Sequence, residues 1–149
     1  MNTQVEAVQT YQGKSSVMRK LVWVSPLAML VSAVVNLGLY AAVGSVFPEV
    51  TAWSGAGAGQ IIGANVVYLL IGSVVFALVA RFSRSPARHY LIVATIGLLL
   101  SLALPIGAAF GYGAPGAPPA SVATAVTLSL MHVVSYAISV PMFNRLALN

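Results

Sequence analysis

Four long apolar runs dominate the chain, and short polar segments separate them. The runs cover about residues 21–46, 59–80, 90–110 and 120–143, and none of them contains Asp, Glu, Lys or Arg. Because an α-helix rises 1.5 Å per residue, about 20 apolar residues cross a hydrocarbon core of about 30 Å. Strands of a membrane barrel would instead alternate polar and apolar residues over about ten positions. The pattern predicts an all-α fold, a four-helix transmembrane bundle.

The composition excludes the soluble classes of protein. The 149 residues are 59% hydrophobic and only 6% charged, whereas about 25% of an ordinary soluble domain is charged. Disordered chains are polar and also do not fit. The absence of cysteine from the sequence excludes disulfides, thiolate metal sites and thiol redox chemistry.

The seven basic residues of the sequence predict how the chain threads through the membrane. Four crossings place all seven on one side and Glu49 on the other; the basic residues are Lys14, Arg19, Lys20, Arg81, Arg84, Arg88 and Arg145. The positive-inside rule then predicts cytoplasmic termini, with loops 47–58 and 111–119 outside. The basic residues form no stripe interleaved with aromatic residues, so nucleic acid is not an expected partner.

The N-terminal residues precede the membrane domain in this interpretation. Residues 1–20 form a cytoplasmic N-terminal segment, and residues 21–149 form the four-helix transmembrane domain. The first run is longer than the 7–15 apolar residues of a signal peptide, so we expect that it is not cleaved from the protein. Met1 to Ser16 is polar, and we expect it to be loosely ordered, with a short interfacial helix as the alternative.

Polar side chains inside the spans predict a candidate ligand site. Such groups usually face the interior of a bundle. Counted from the outer ends of the spans, the depths of Asn36, Asn65 and His132 differ by about 8 Å. The sequence therefore predicts a polar cluster of five residues: His132, Asn36, Asn65, Tyr136 and Tyr40. The alternative is that these groups only satisfy one another between helices.

Small residues predict the packing surfaces between helices. Gly59 and Gly63 form a GxxxG pair that points away from Asn65, which favours self-association, or else close packing within one protomer. A ridge on the last span has small residues at four-residue spacing: Ser121, Ala125 and Ser129.

Two local features have expected structural effects. Pro105 removes a backbone donor four residues after Ser101, which predicts a kink in the third span. Ser121 is placed to cap the start of the fourth span.

No set of residues predicts catalysis. His132 has Ser129 and Ser135 three residues away on either side, but no buried carboxylate would orient its imidazole, and no GxSxG motif is present. The spans contain no Asp or Glu for proton-coupled transport. We expect no enzymatic activity, no metal site and no cofactor.

Two segments of the chain resemble a known family. They are the turn Arg81-Phe82-Ser83-Arg84-Ser85-Pro86-Ala87-Arg88 and the last span, with Ala123-Thr124-Ala125, Leu130-Met131-His132-Val133-Val134 and Pro141. Together they resemble an uncharacterised family of small four-span bacterial membrane proteins, classed as a domain of unknown function. The resemblance covers about residues 60–145. It implies a multi-pass protein of the bacterial inner membrane and supplies no activity.

Two functions remain open. The first is a non-enzymatic accessory or assembly subunit in the lipid bilayer, which acts through helix–helix contacts with a second copy or another membrane protein. The alternative is a small-molecule, lipid or ion carrier with a polar site around His132, Asn36 and Asn65. The carrier hypothesis predicts pH-dependent binding or flux that His132→Ala removes.

Overall fold

All of the regular secondary structure in the described part of the chain is helical. The computed structural model describes the backbone of residues 2–112 and 116–148, and the side chains of residues 16–112 and 116–148. Its elements are α1 (Asn2–Val46), α2 (Pro48–Ala52), α3 (Ala58–Phe82), α4 (Pro86–Ser101), α5 (Ala103–Ala109), α6 (Val122–Met142) and a final π-helical turn (Phe143–Ala147). The predicted all-α class is confirmed.

Four helices are long and apolar enough to span a membrane. They cover Ser16–Val46, Ala58–Phe82, Pro86–Ala109 and Val122–Ala147, which confirms the four predicted runs with slightly longer ends. The N-terminal segment differs from the expectation, because α1 begins at Asn2 and continues without a break into the first span. Residues 2–16 include Gln, Glu, Ala and Lys, which favour helix, and contain no proline.

The two ends of the bundle differ in their basic residues and in the connections they contain. We call the end with the α3–α4 turn and the last residues of the chain the basic end, because Arg81, Arg84 and Arg145 lie there. We call the opposite end, with residues 47–57 and the α5–α6 connection, the loop end. Residues 113–115 of that connection lie outside the described residues.

Three aromatic rings form the centre of the basic end. The ring centroid of Phe76 lies 4.9 Å from that of Tyr90 and 5.4 Å from that of Phe143, and the Tyr90–Phe143 distance is 5.8 Å. Val24 and Ala28 of α1 belong to the same buried cluster. Edge-to-face rings at these distances attract each other beyond simple burial. This cluster joins α1, α3, α4 and the final turn.

Hydrogen bonds between loops hold the loop end together. Tyr40 donates its hydroxyl to the backbone oxygen of Ala56 at 3.0 Å. Trp53 donates its indole Nε1–H to the backbone oxygen of Pro118 at 2.7 Å. The first bond ties α1 to the segment before α3, and the second joins the two connections of this end.

The third span is interrupted where a kink was predicted. Helix α4 ends at Ser101 and α5 begins at Ala103, with Pro105 buried in the first turn of α5. The predicted cap is also confirmed, because Ser121 Oγ accepts a hydrogen bond from the Thr124 backbone N–H at 3.1 Å.

The small-residue surfaces face different environments. Gly59 and Gly63 are exposed, and a Cβ atom added at either would have no neighbour within 4 Å in the part of the chain that the structure describes. Close packing of these glycines within the protomer, one of the two alternatives, is therefore not found. The ridge on α6 is half-buried, and a more deeply buried stripe of Thr124, Thr127 and Met131 lies beside it.

We expect Phe76→Ala to lower the free energy of unfolding by about 2 kcal/mol, because it leaves a cavity among three rings. The cost is smaller than in a soluble core, since lipid solvates the unfolded helix. Phe110→Ala is the matched control, because Phe110 is 73% exposed whereas Phe76 is fully buried. Unfolding in detergent measures both variants, and equal losses would contradict the assigned core.

Candidate functional site

A network of amides and a hydroxyl joins three helices midway along the bundle. Asn36 of α1 donates from Nδ2 to Asn65 Oδ1 of α3 at 3.1 Å. The same Nδ2 lies 2.9 Å from Ser135 Oγ and 3.3 Å from the backbone oxygen of Met131, both on α6. Ser135 Oγ in turn donates to Asn65 Oδ1 at 3.1 Å. The network therefore links α1, α3 and α6 through side chains.

The orientation of the Asn36 amide follows from its partners. A backbone oxygen only accepts hydrogen bonds, so the atom that faces Met131 is the amide nitrogen. Among the described residues, Asn36 Oδ1 then lies buried without a donor, and Ser32 Oγ, one turn earlier on α1, is also buried without a partner. Buried polar atoms usually have partners. This part of the bundle thus has a surplus acceptor.

His132 is held by the helix break in the third span. Its Nδ1 lies 2.9 Å from Ser101 Oγ, and that hydroxyl donates to the backbone oxygen of Leu98 at 2.7 Å. A serine hydroxyl has one proton. Both contacts are satisfied when Nδ1–H donates to Ser101 Oγ, which leaves Nε2 as an acceptor. The Nε2 atom has no hydrogen-bond partner among the described residues.

Tyr68 lies against the histidine ring. The two ring centroids are 5.6 Å apart in an edge-on arrangement. Tyr68 is 41% exposed, and its hydroxyl has no hydrogen-bond partner within the described part of the chain. A free donor and a free acceptor thus belong to neighbouring rings.

These side chains line a cleft between α3 and the α4–α5 span. Its volume is about 740 Å³, within the range of small-molecule sites. Helix α6 forms its back wall, and Asn36 contributes from α1. Apolar residues make up most of the lining, and none of the described residues that line it is Asp, Glu, Lys or Arg. The polar groups among them are Asn36, Gln60, Asn65, Tyr68, Tyr90, Ser101, His132, Ser135, Tyr136 and Ser139, with the indole of Trp53.

Both ends of the cleft meet ordered structure. At the loop end, the lining includes Trp53 and Ala56, which are held by the hydrogen bonds to Pro118 and Tyr40. At the basic end it reaches Tyr90, whose ring packs in the aromatic cluster. Between these ends, exposed side chains line both walls, Ile71 on α3 and Leu100 on α4 among them.

The structure brings four of the five predicted cluster residues to the cleft. Asn36 and Asn65 bond directly, and His132 and Tyr136 line the same space. Tyr136 has its hydroxyl 2.8 Å from Thr95 Oγ1 of α4. Tyr40 instead bonds to the loop end, outside this lining.

Sequence reasoning missed two participants. Tyr68 is not among the five residues of the predicted cluster, and Ser101 entered the sequence analysis only through its spacing from Pro105. Ser101 lies eight residues before the end of α5 at Ala109, or about 12 Å. His132 lies ten residues into α6, or about 15 Å. The similar depths of Ser101 and His132 in their helices were the sequence signal that could have paired them.

The chain was compared with known proteins. A family model described as "Family of unknown function (DUF6069)" matches residues 14–148. The chain belongs to this family. Neither the curated proteins nor the solved structures contain a match. The DUF6069 match extends beyond the segments that carried the resemblance and includes all of the helices that line the cleft.

Removal of the central amide tests the network. We expect Asn36→Ala to lower the free energy of unfolding by about 1 to 2 kcal/mol, because it removes bonds to two helices, each worth about 0.6 kcal/mol on average. Asn144→Ala is the matched control, since the Asn144 Oδ1 atom has no partner within the described ranges. If both variants unfold alike in detergent, the network does not stabilise the bundle.

Proposed function

We propose that this DUF6069 protein is a non-enzymatic, multi-pass protein of a bacterial inner membrane that binds a small apolar molecule in the cleft between α3 and the α4–α5 span. The supporting observation is the cleft itself: about 740 Å³, apolar walls, and polar groups gathered midway along the bundle. Binding sites usually combine an apolar lining with a few placed polar groups.

The direction of access follows from what closes the cleft. Hydrogen bonds hold Trp53 and Ala56 at one end of the cleft, and the Phe76–Tyr90 contact lies at the other end. The exposed walls between these ends belong to helices that are long and apolar enough to span the bilayer. The ligand therefore enters from the lipid phase, through the gap between α3 and α4, and not from water.

The basic residues support an orientation. Arg81, Arg84 and Arg88 lie in or next to the α3–α4 turn, and Arg145 lies in the final turn. The positive-inside rule favours the cytoplasm for the basic end. The polar part of the cleft then lies nearer the outer leaflet, because Asn65 and Tyr68 belong to the half of α3 that begins at the loop end.

A side chain that fills the cleft tests the proposal. Gly97 lines the cleft and Gly38 does not, and at either position an added Cβ would have no neighbour within 4 Å. We expect native mass spectrometry of protein released gently from its own membranes to detect an apolar molecule on the wild type and on Gly38→Phe. The extra mass should be lost on Gly97→Phe.

Two results would contradict this proposal. One is an unliganded protein in every sample, and the other is an extra mass that both glycine variants retain equally. Circular dichroism of the two variants supplies the folding control, because both glycines lie on exposed helix surfaces.

A second function, assembly through helix contacts, is favoured by one observation. Gly59 and Gly63 form an exposed small-residue surface on α3 with open space above it. In lipid, such surfaces allow two helix backbones to approach closely. We propose that this surface contacts a second copy of the chain or another membrane protein.

We expect Gly63→Leu to abolish a crosslinkable homo-oligomer, because its side chain would separate the two helices. Gly38→Leu, at an exposed glycine of α1, should leave the oligomer intact. Crosslinking in membranes measures both. An oligomer that survives Gly63→Leu would remove this surface from the assembly hypothesis.

A further inference from the structure

We infer that the cleft selects molecules whose polar end is a neutral hydroxyl group, in other words long apolar alcohols, and that Tyr68 and His132 bind this hydroxyl. The inference rests on the proposed function and names its ligand class. It is carried by the hydrogen-bonding state of the two neighbouring rings and by the electrical neutrality of the lining.

The lining excludes charged polar ends. None of the described residues that line the cleft is Asp, Glu, Lys or Arg, and in lipid a charge without a partner is expensive. A phosphate or carboxylate would have no cation to pair with, and an ammonium would have no carboxylate. The polar end of the ligand is therefore neutral.

The histidine defines an acceptor. We assign the ring proton to Nδ1, which then donates to Ser101 Oγ, because the short contact of that hydroxyl with the Leu98 oxygen accounts for the Ser101 proton. The neutral ring then presents Nε2 as a lone pair without a partner in the described residues. A ligand that fits must supply a donor.

The tyrosine supplies the complementary group. Its ring lies edge-on to that of His132 with centroids 5.6 Å apart, and its hydroxyl is free to donate. A ligand hydroxyl would accept from Tyr68 and donate to His132 Nε2 at the same time. An ether, ester or ketone oxygen would accept from Tyr68 and leave Nε2 unpaired.

The position of the pair fits a molecule immersed in the membrane. Tyr68 and His132 each lie ten residues from the loop end of their helices, which is about 15 Å. A phospholipid headgroup stays at the interface and does not reach this depth, whereas the single hydroxyl of an apolar alcohol does.

A competition between three related molecules tests the inference. The purified full-length protein is mixed in detergent with equal amounts of phytol, phytyl methyl ether and phytyl phosphate, and native mass spectrometry counts each bound species. We expect phytol to exceed the ether by about five- to tenfold, the effect of one additional hydrogen bond. The phosphate should bind least.

Variants assign one hydrogen bond to each ring. His132→Phe removes the acceptor for the phytol proton, so it should bring the phytol-to-ether ratio close to one. Tyr68→Phe removes a donor that both molecules use, so it should weaken the binding of both by about five- to tenfold and leave their ratio unchanged. Tyr112→Phe, at an exposed tyrosine outside the cleft, should change neither the ratio nor the amounts bound. If His132→Phe does not fold, Tyr68→Phe still tests the inference, because its hydroxyl has no partner to lose among the described residues and its loss should weaken phytol binding. Ser101 is a positioning residue, so Ser101→Ala should lower the ratio without abolishing binding.

The outcomes separate this inference from the proposed function. Equal binding of phytol and ether, a preference for the phosphate, a ratio that His132→Phe leaves unchanged, or phytol binding that Tyr68→Phe leaves unchanged would overturn the hydroxyl assignment while the cleft still binds. Loss of all three molecules from Gly97→Phe but not from Gly38→Phe would support the cleft whatever the ratio. If no molecule binds the wild type, both proposals fail.

Discussion

The bond between Asn36 and Asn65 is the contact on which the arrangement of this bundle depends. Lipid gives helices little reason to associate, because the bilayer is as apolar as their own side chains. An amide in the hydrocarbon region has no water with which to form hydrogen bonds and therefore needs a partner within the protein. Asn36 finds partners on two helices, α3 and α6. This requirement fixes the rotation and height of α1 against both.

The network also explains where the cleft lies. Asn36, Asn65 and Ser135 pack α1, α3 and α6 together, so these three helices are fixed by side-chain bonds. The third span joins them through other contacts: the aromatic cluster at the basic end, the Thr95–Tyr136 bond, and the Ser101–His132 bond beside the helix break. The cleft is the space left between α3 and this third span.

Much of this structure was predictable, for reasons that can be stated residue by residue. The absence of charge over whole runs identified the spans, and the depths of Asn36 and Asn65 indicated that they could meet. The Ser121 cap and the interruption near Pro105 followed from local chemistry. The hydrogen-bond partner of His132 was not predictable in this way, because it depends on the rotation of α4 about its axis before the helix break. The cleft depends on the divergence of α3 and α4, which no local pattern encodes.

The uncharged lining of the cleft has an electrical consequence. Moving one elementary charge through a membrane potential of 100 mV costs or releases about 2.3 kcal/mol. None of the described lining residues is Asp, Glu, Lys or Arg, and a neutral ligand would carry no charge into the field. Occupancy of such a site is set by the concentration of the ligand in the bilayer, and an energised cell and a depolarised one would fill it to the same extent.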